Sequence, residues 1–412
     1  MSVARVTALS FLGVLAACGS TPSGSDGQLG NPPNGGQAPG AGGAGTSGAP
    51  AIAGAGGVPT ATAGMPSEAG VGGAPTPVGG GGVAGGSSGT SGSSSAGTGG
   101  AMPMGDISIT DQAPGFASVA GGTTGGGTDI ADAIVVDSMA ELQEAAETDG
   151  PAIILVEPGS YSGVLTLTAD KTIIGTAPGV TITGAVAIRG DDVHNVIIRN
   201  LAVRGNRCNS YDECRAGADA VYIGDGAHHV WLDHLDIADG QDGNCDFSQG
   251  GDYVTVSWSH FHYTYDKEHR FSNLIAGSDD EPNSIGKLRI TYMNSHWGER
   301  VDSRQPRGRY GDVHMLNNYH DTGGSQIHGV GKDMALIAEN SVYDEDRAIF
   351  TDMGSPRGWK GMGNIGSGSS LDASQGSVFT IPYSYNALPA TQVKAAVMAA
   401  KCGAGNTCTL AR

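Results

Sequence analysis

The residues best suited to chemistry fall in one stretch, Asp219 to Arg309. Acids come first. Asp219 precedes the apolar run Ala-Val-Tyr-Ile, and Asp242-Gly-Asn-Cys-Asp246 opens the next run. In a strand, residues two and four apart share a face. Asp242 and Asp246 then point outward together, while Gly243 and Cys245 point the other way. A straight strand would hold the two aspartate Cα atoms ~13 Å apart. A single ion reaches both only if the chain bends, and Gly243 is the residue that allows a bend. Asp219 lies one repeat earlier, ~5 Å away in the direction of the neighbouring strand. Three outward carboxylates without a nearby Lys repel one another, and Ca²⁺, a hard cation that takes oxygen ligands, would resolve the repulsion. The plain alternative is Asp solvated at turns. Basic residues follow. Residues 303–311 read SRQPRGRYG, which places Arg304, Arg307 and Arg309 close behind Arg300. Pro306 imposes extended backbone, so Arg307 and Arg309 share a face. Alternating Arg on a β surface makes a positive stripe whose forked donors match carboxylates. The plain alternative here is a solvated run paired to Glu299 and Asp302. Lys267 stands between the two clusters and by itself reads as a surface lysine.

These residues must be positioned by a repeated element. Six segments pair an apolar-rich strand with a polar or aromatic residue four places after the first anchor. They begin at Val196, Val230, Val254, Leu288, Val313 and Leu336. The intervals are 34, 24, 34, 25 and 23 residues, near one turn of the twenties with occasional insertions. One short strand per unit at that period predicts a solenoid. The Leu-x-x-Leu-x-Leu pattern of leucine-rich repeats is missing from the sequence, and helix patterns are few. An all-β parallel β-helix fits best, with an apolar interior continuous from coil to coil. Asn200, Asn317 and Asn340 then share one register as a ladder at a turn, with His234, Trp258 and Tyr292 in the same register elsewhere. Before the repeats, Gly115–Gly127 is the first segment expected to be ordered. Ser138–Thr148 has helical apolar spacing at Met139, Leu142 and Ala146, and Ala152–Val156 reads as a buried strand.

Composition sets the outer limits. The chain has 412 residues, 70 of them Gly, and a net charge of −19. Residues 21–100 hold 28 of the glycines, no aromatic residue, no Lys or Arg, and only Asp26 and Glu68 as charges. Such a stretch buries too little apolar surface to offset its ordering entropy. Residues 1–18 read as a secretory leader with an apolar run from Val6 to Ala17, too short to span a bilayer as a helix. Its end, Leu15-Ala-Ala-Cys18, resembles the bacterial lipobox, which makes Cys18 a lipidation site. The organisation expected is therefore a lipoprotein leader (1–18), a flexible tether (19–104) and one domain (105–412). The protein would be secreted and lipid-anchored to a bacterial membrane or cell surface, touching membrane only through that anchor. Residues 101–412 carry net −18, from 21 basic and 39 acidic residues, which argues against a duplex nucleic-acid binder.

Six cysteines complete the reading. With Cys18 assigned to lipid, Cys208 and Cys214 enclose five residues, and so do Cys402 and Cys408. Both gaps suit local bridges in a secreted domain. Cys245 is left as a thiol facing the coil interior, neither ligand nor nucleophile.

The run VWLDHLDIADGQDGNCDFSQGGDYVTVSWSHFH (230–262), followed by SRQPRGRYGDVHMLNNYHD (303–321), resembles the pectate lyases of polysaccharide lyase family one. Their signatures are a VWIDH strand, a DGLxD segment before VTxSW, and RxPRxRxG before VHxxNN. The likeness extends over roughly 111–406, including GFASVAGGTTGGG at the start and IPYSYNALPATQVKAAVMAAKCGAG at the end. It implies a right-handed parallel β-helix with a short N-terminal helix, acting as a monomer on polygalacturonate with Ca²⁺. It places Asp219, Asp242 and Asp246 on the family's Ca²⁺ carboxylates, and Gly217 where some members carry a further acid. It places Arg304 on the proton-abstracting arginine and Arg309, beside Arg307, on the substrate-binding side of the motif. Lys267 falls on a substrate-binding lysine. Here Glu268–Ser272 intervene before Asn273-Leu274-Ile275, and Arg270 is the alternative for that role. Two other functions share the pattern in part: a pectin lyase acting on methylated chains, and a non-catalytic uronan-binding lectin.

Overall fold

In the computed structural model, residues 106–322 and 324–411 are described. The leader, Cys18 and the tether lie outside them. Three ladders of parallel strands stack coil upon coil. Sheet A contains the long strands of the repeat, among them His194–Arg199, His228–Asp233, Asp252–Ser257, Arg289–Met293, Asp312–Leu316 and Ala335–Glu339. Sheet B runs through Ala202–Arg204, Asp236–Ala238, His260–His262, His296–Trp297, Tyr319–His320 and Val342–Tyr343. Sheet C runs through Val221–Gly224, Cys245–Phe247, Leu274–Ile275, Arg307–Gly308 and His328–Val330. The long strand Val180–Arg189 pairs with the first strands of both B and C. The parallel β-helix expected from the repeat is what forms.

Each coil closes because every second side chain faces inward and meets its equivalent one coil on. Val196, Val230, Val254, Ile290, Val313 and Leu336 are in register and fully buried. Burial of such rows, at roughly 25 cal/mol per Å² of apolar surface, is the main force holding the stack. Inside sheet B, Phe261, Trp297, His320 and Tyr343 form a stacked ring column with centroids 4.6–4.9 Å apart. The helix α1 (Met139–Glu147) caps the N-terminal end, with Ser138 accepting from the Glu141 amide and Leu142, Ala145 and Ala146 buried. A short helix α2 (Tyr211–Arg215) sits in the loop closed by the Cys208–Cys214 disulfide, and α3 (Ala390–Val397) precedes the Cys402–Cys408 disulfide. Cys245 is a buried free thiol.

One register differs from the sequence reading. Val254 pairs with Ile290 and Ser257 with Met293, so the repeat in that coil is anchored at Ile290 and its turn residue is Asn294. Tyr292 instead faces the core and is fully buried. The turn ladder is thus Asn200, His234, Trp258, Asn294, Asn317 and Asn340, all left-handed with φ between 46° and 56°. Left-handed backbone is the conformation Asn tolerates best after Gly. The C-terminal chain runs back across these turns. Asn317 Nδ2 donates to the Leu388 carbonyl, Gly405 N donates to the Trp258 carbonyl, and Asn200 Nδ2 donates to the Cys408 carbonyl.

Candidate active site

The acids gather where sheet B hands over to sheet C. The connecting loop, 239–244, is held rigid by its own polar groups. Asp239 accepts from the Thr264 amide at 2.7 Å, Gly240 N donates to Asn244 Oδ1 at 3.1 Å, and Asn244 Nδ2 donates to the His262 carbonyl. The strand starts only at Cys245. Asp242 is therefore a loop residue, and the outward pairing with Asp246 along one straight strand does not occur. Cys245 does face the interior, in the apolar core. Asp246 is buried, at 6% exposure, with Oδ1 accepting from the Leu274 amide at 2.9 Å. Asp219 stands beside Gly243 in the preceding coil, and its Oδ1 is shut off from solvent without a hydrogen-bond partner. A Cβ placed on Gly243 would lie 2.5 Å from Asp246 Oδ1 and 3.0 Å from Asp219 Oδ1. The two carboxylates thus converge on a notch that only glycine leaves open. Asp242 stays at the edge, its Oδ1 2.8 Å from His269 Nε2.

The electrostatics record the crowding. Burial, then Asp246 and Asp242, push the Asp219 carboxyl well above its ordinary range. Burial and Asp242 push Asp246 up to about 7. Arg304 pulls in the opposite direction on both, so its guanidinium is a near neighbour. The backbone explains how Arg304 gets there. Ser303 pairs with Phe271 and Arg307 with Leu274, so four steps on one strand oppose three on the other. That bulge puts Arg304 at φ 63° and turns its side chain onto the Phe271 ring, with Cζ 4.4 Å from the centroid. Gln305 points the other way, fully buried, with Oε1 2.8 Å from His320 Nδ1 and Nε2 donating to the Thr322 carbonyl.

The remaining basic residues are spread out. Arg307 lies level with Leu274, the strand neighbour of Asp246. Arg309 is two residues on and on the same face, where Nε meets Asp279 and Nη1 donates to the Ala276 carbonyl. Lys267 is buried, at 8% exposure. Its ammonium donates to the carbonyls of Gly240 and Gln241, and burial lowers it to about 8. It therefore braces the loop that carries Asp242. Arg270 is paired to Asp266. His269 escaped the sequence reading, although the five-residue departure from family spacing at Glu268–Ser272 marked its place. Nothing in the sequence pointed to Gln305 or His320 as the anchor beneath Arg304.

These residues fit a hard divalent cation. The donors are carboxylate oxygens, one of them orphaned, around a notch free of side-chain atoms. Gly217 adds no ligand, because a Cβ there would lie 2.5 Å from Gln241 Cβ and Oε1.

Fold and site together define a parallel β-helix that gathers carboxylates and a guanidinium where sheet B hands over to sheet C. The chain belongs to the pectate lyase family, whose model matches residues 104–407. It is 36% identical over 248 residues to the pectate lyase plyB of Emericella nidulans, covering 57% of this chain and 70% of that protein. It is 31% identical to pectate lyase A of the same organism, covering 73% and 89%. The fold matches that of a pectate lyase from Bacillus sp. N165 solved in complex with trigalacturonate. The TM-score there is 0.58 at 23% identity, covering 72% of this chain and 99% of that one. The protein is a lyase acting on polysaccharide.

Proposed function

We propose that the enzyme cleaves (1→4)-linked α-D-galacturonan by Ca²⁺-dependent β-elimination. The observation that carries this reading is the convergence of Asp219 and Asp246 on the Gly243 notch, with Asp242 and Arg304 beside them. Burial and mutual repulsion raise Asp219 and Asp246, which marks a cluster short of positive charge. Ca²⁺ held by Asp219, Asp242 and Asp246 would supply that charge and offset the uronate carboxylate.

The chain's own residues do the rest. Arg307 and Arg309, on one face of sheet C, bind uronate carboxylates along the chain. Arg304, in its neutral form, takes H5, which is acidified by the adjacent carboxylate. The C5–H electron pair becomes the C4–C5 double bond, the C4–O bond breaks, and the departing oxygen takes a proton from water. A guanidinium is protonated in ordinary water, so the reaction is favoured at alkaline pH. Lys267 keeps the Asp242 loop in place, which leaves Arg270 as the residue of the insertion that reaches substrate. The trigalacturonate complex of the Bacillus relative supports the choice of substrate. The two disulfides support a location outside the cell, and the leader's lipobox-like end is the ground for proposing Cys18 as a lipid anchor. Mass analysis of the mature N-terminus tests the anchor.

The enzymatic test uses polygalacturonate and methylated pectin, each with Ca²⁺ or with chelator, followed by ultraviolet absorbance of the unsaturated product. Absorbance on polygalacturonate that chelator abolishes is the expected result. Absorbance on methylated pectin in chelator makes the protein a pectin lyase, and none under any condition makes it a lectin.

A further inference from the structure

Sheet B carries a second constellation of ionisable groups on its outer face. Asp236, His260 and His296 are in register on three successive strands, and His262 shares the face two residues beyond His260. Donor atoms of Asp236, His260 and His262 all lie within 4.8 Å of one another. His262 Nε2 is 2.6 Å from Asp236 Oδ1. The other oxygen, Oδ2, accepts from Arg204 Nη2 at 2.7 Å, which fixes the carboxylate's orientation. His260 is the odd member. Its Nε2 is shut off from solvent and makes no hydrogen bond, although Glu299 Oε2 is 3.4 Å away. Only glycine fits against it: a Cβ on Gly298 would lie 2.7 Å from that nitrogen and 2.7 Å from His296 Cε1.

We propose that Asp236, His260 and His262, with Glu299 as fourth donor, bind one divalent ion of the Zn²⁺ class. Two imidazole nitrogens and two carboxylates form a borderline donor set typical of Zn²⁺ and Co²⁺, whereas Ca²⁺ takes oxygen alone. The site is thus chemically distinct from the acid cluster at Gly243. The His260 and His262 rings stack at 4.2 Å and are parallel within 7°. A metal needs a lone pair from each ring plane, so His260, stacked between His262 and His296, must turn about its Cβ–Cγ bond for the site to load. The bound ion would join the coils of Asp236, His260 and Glu299, a clip across three consecutive turns of the solenoid. It would stabilise the fold by mass action, since the unfolded chain cannot assemble the donors.

The test uses untagged full-length protein stripped with chelator and titrated with Co²⁺. The expected result is one Co²⁺ per chain, with visible absorption that one equivalent of Zn²⁺ removes and excess Ca²⁺ leaves intact, and a rise in Tm of several degrees. His260→Gln should lose the absorption and weaken binding at least tenfold, with the metal-free fold retained by circular dichroism. His262→Gln serves as the second variant. Absence of saturable binding overturns the proposal. So does binding that persists in both variants, or that disappears in Asp219→Asn instead.

Discussion

Two rows of charge run along neighbouring sheets of this solenoid, and they are wired in opposite senses. On sheet B carboxylates meet basic partners from a neighbouring coil or from the C-terminal helix. Asp236 meets Arg204 and His262, Asp321 meets His296, and Asp344 meets Lys394. Burial works to raise Asp236, yet His262 and Arg204 outweigh it and hold the carboxyl below its ordinary range. Glu299 is held down at about 2 by His260. At the entry to sheet C the acids meet one another, and Asp219 and Asp246 are pushed up. Stacking coils places like beside like in both rows. What differs is whether the next coil supplies the opposite charge. Where the fold leaves charge uncompensated, a ligand has to complete it, as at a reactive site; in the row already paired, an ion adds a structural clip.

The comparison breaks most visibly through Arg304. Arg304→Lys should lower kcat by orders of magnitude with Tm unchanged, because Lys has neither the reach nor the proton affinity of the guanidinium. A rise in KM with kcat preserved would make Arg304 a substrate binder. The next effect is one of opposite signs. Asp219→Asn should abolish activity, yet raise Tm in chelator by removing a buried repulsion. Asp236→Asn should lower Tm, since it leaves Arg204 and His262 without their carboxylate. If Asp219→Asn also lowers Tm in chelator, the two rows are not wired oppositely.

A pH titration of stability sharpens the same contrast. Asp246 has a folded value near 7 against an ordinary 3.8. Its contribution is therefore complete in acid and lost as pH rises through about 7. Glu299 has a folded value near 2 against an ordinary 4.5, so its contribution is present above about 4.5 and lost as pH falls through 2. Metal-free protein should lose stability between pH 4 and 7, and Asp246→Asn should flatten that slope while leaving the acid limb in place. Circular-dichroism melts across pH measure both limbs.

Much of this was legible in the sequence because a solenoid repeats its inward residues. The period, the Asn turns at 200, 317 and 340, and the fold all follow from rows of apolar anchors. The frame at Leu288 was misread by two residues. A slip of two preserves which face each residue occupies, so the hydrophobic pattern cannot detect it. Only the ladder shows that Ile290, not Leu288, meets Val254. The acids were found as residue types, but their convergence on Gly243 depends on where the strand begins. The His260 row was invisible for a related reason. Its members are 24 and 36 residues apart, and only the insertion length between coils decides that they align.

The smallest expected effect concerns Cys245, which shares a strand with Asp246 but faces the opposite side. Its thiol is fully buried among core residues, and burial, then Asp246 and Asp219, push its titration well up. A thiol in that state is protonated and unreactive. Alkylation of the native protein should leave the Cys245 peptide unmodified, and unfolding without reductant should expose it. Cys245→Ala removes one buried sulfur and should cost about 1 kcal/mol, with kcat and Ca²⁺ dependence unchanged. The strand's alternation predicts this separation: one face packs the core while the other holds the carboxylate. A shift in Ca²⁺ dependence in this variant, without loss of fold, would mean that the core beneath sheet C sets the acid cluster's geometry. The contrast between the two rows would then depend on packing as well as on charge.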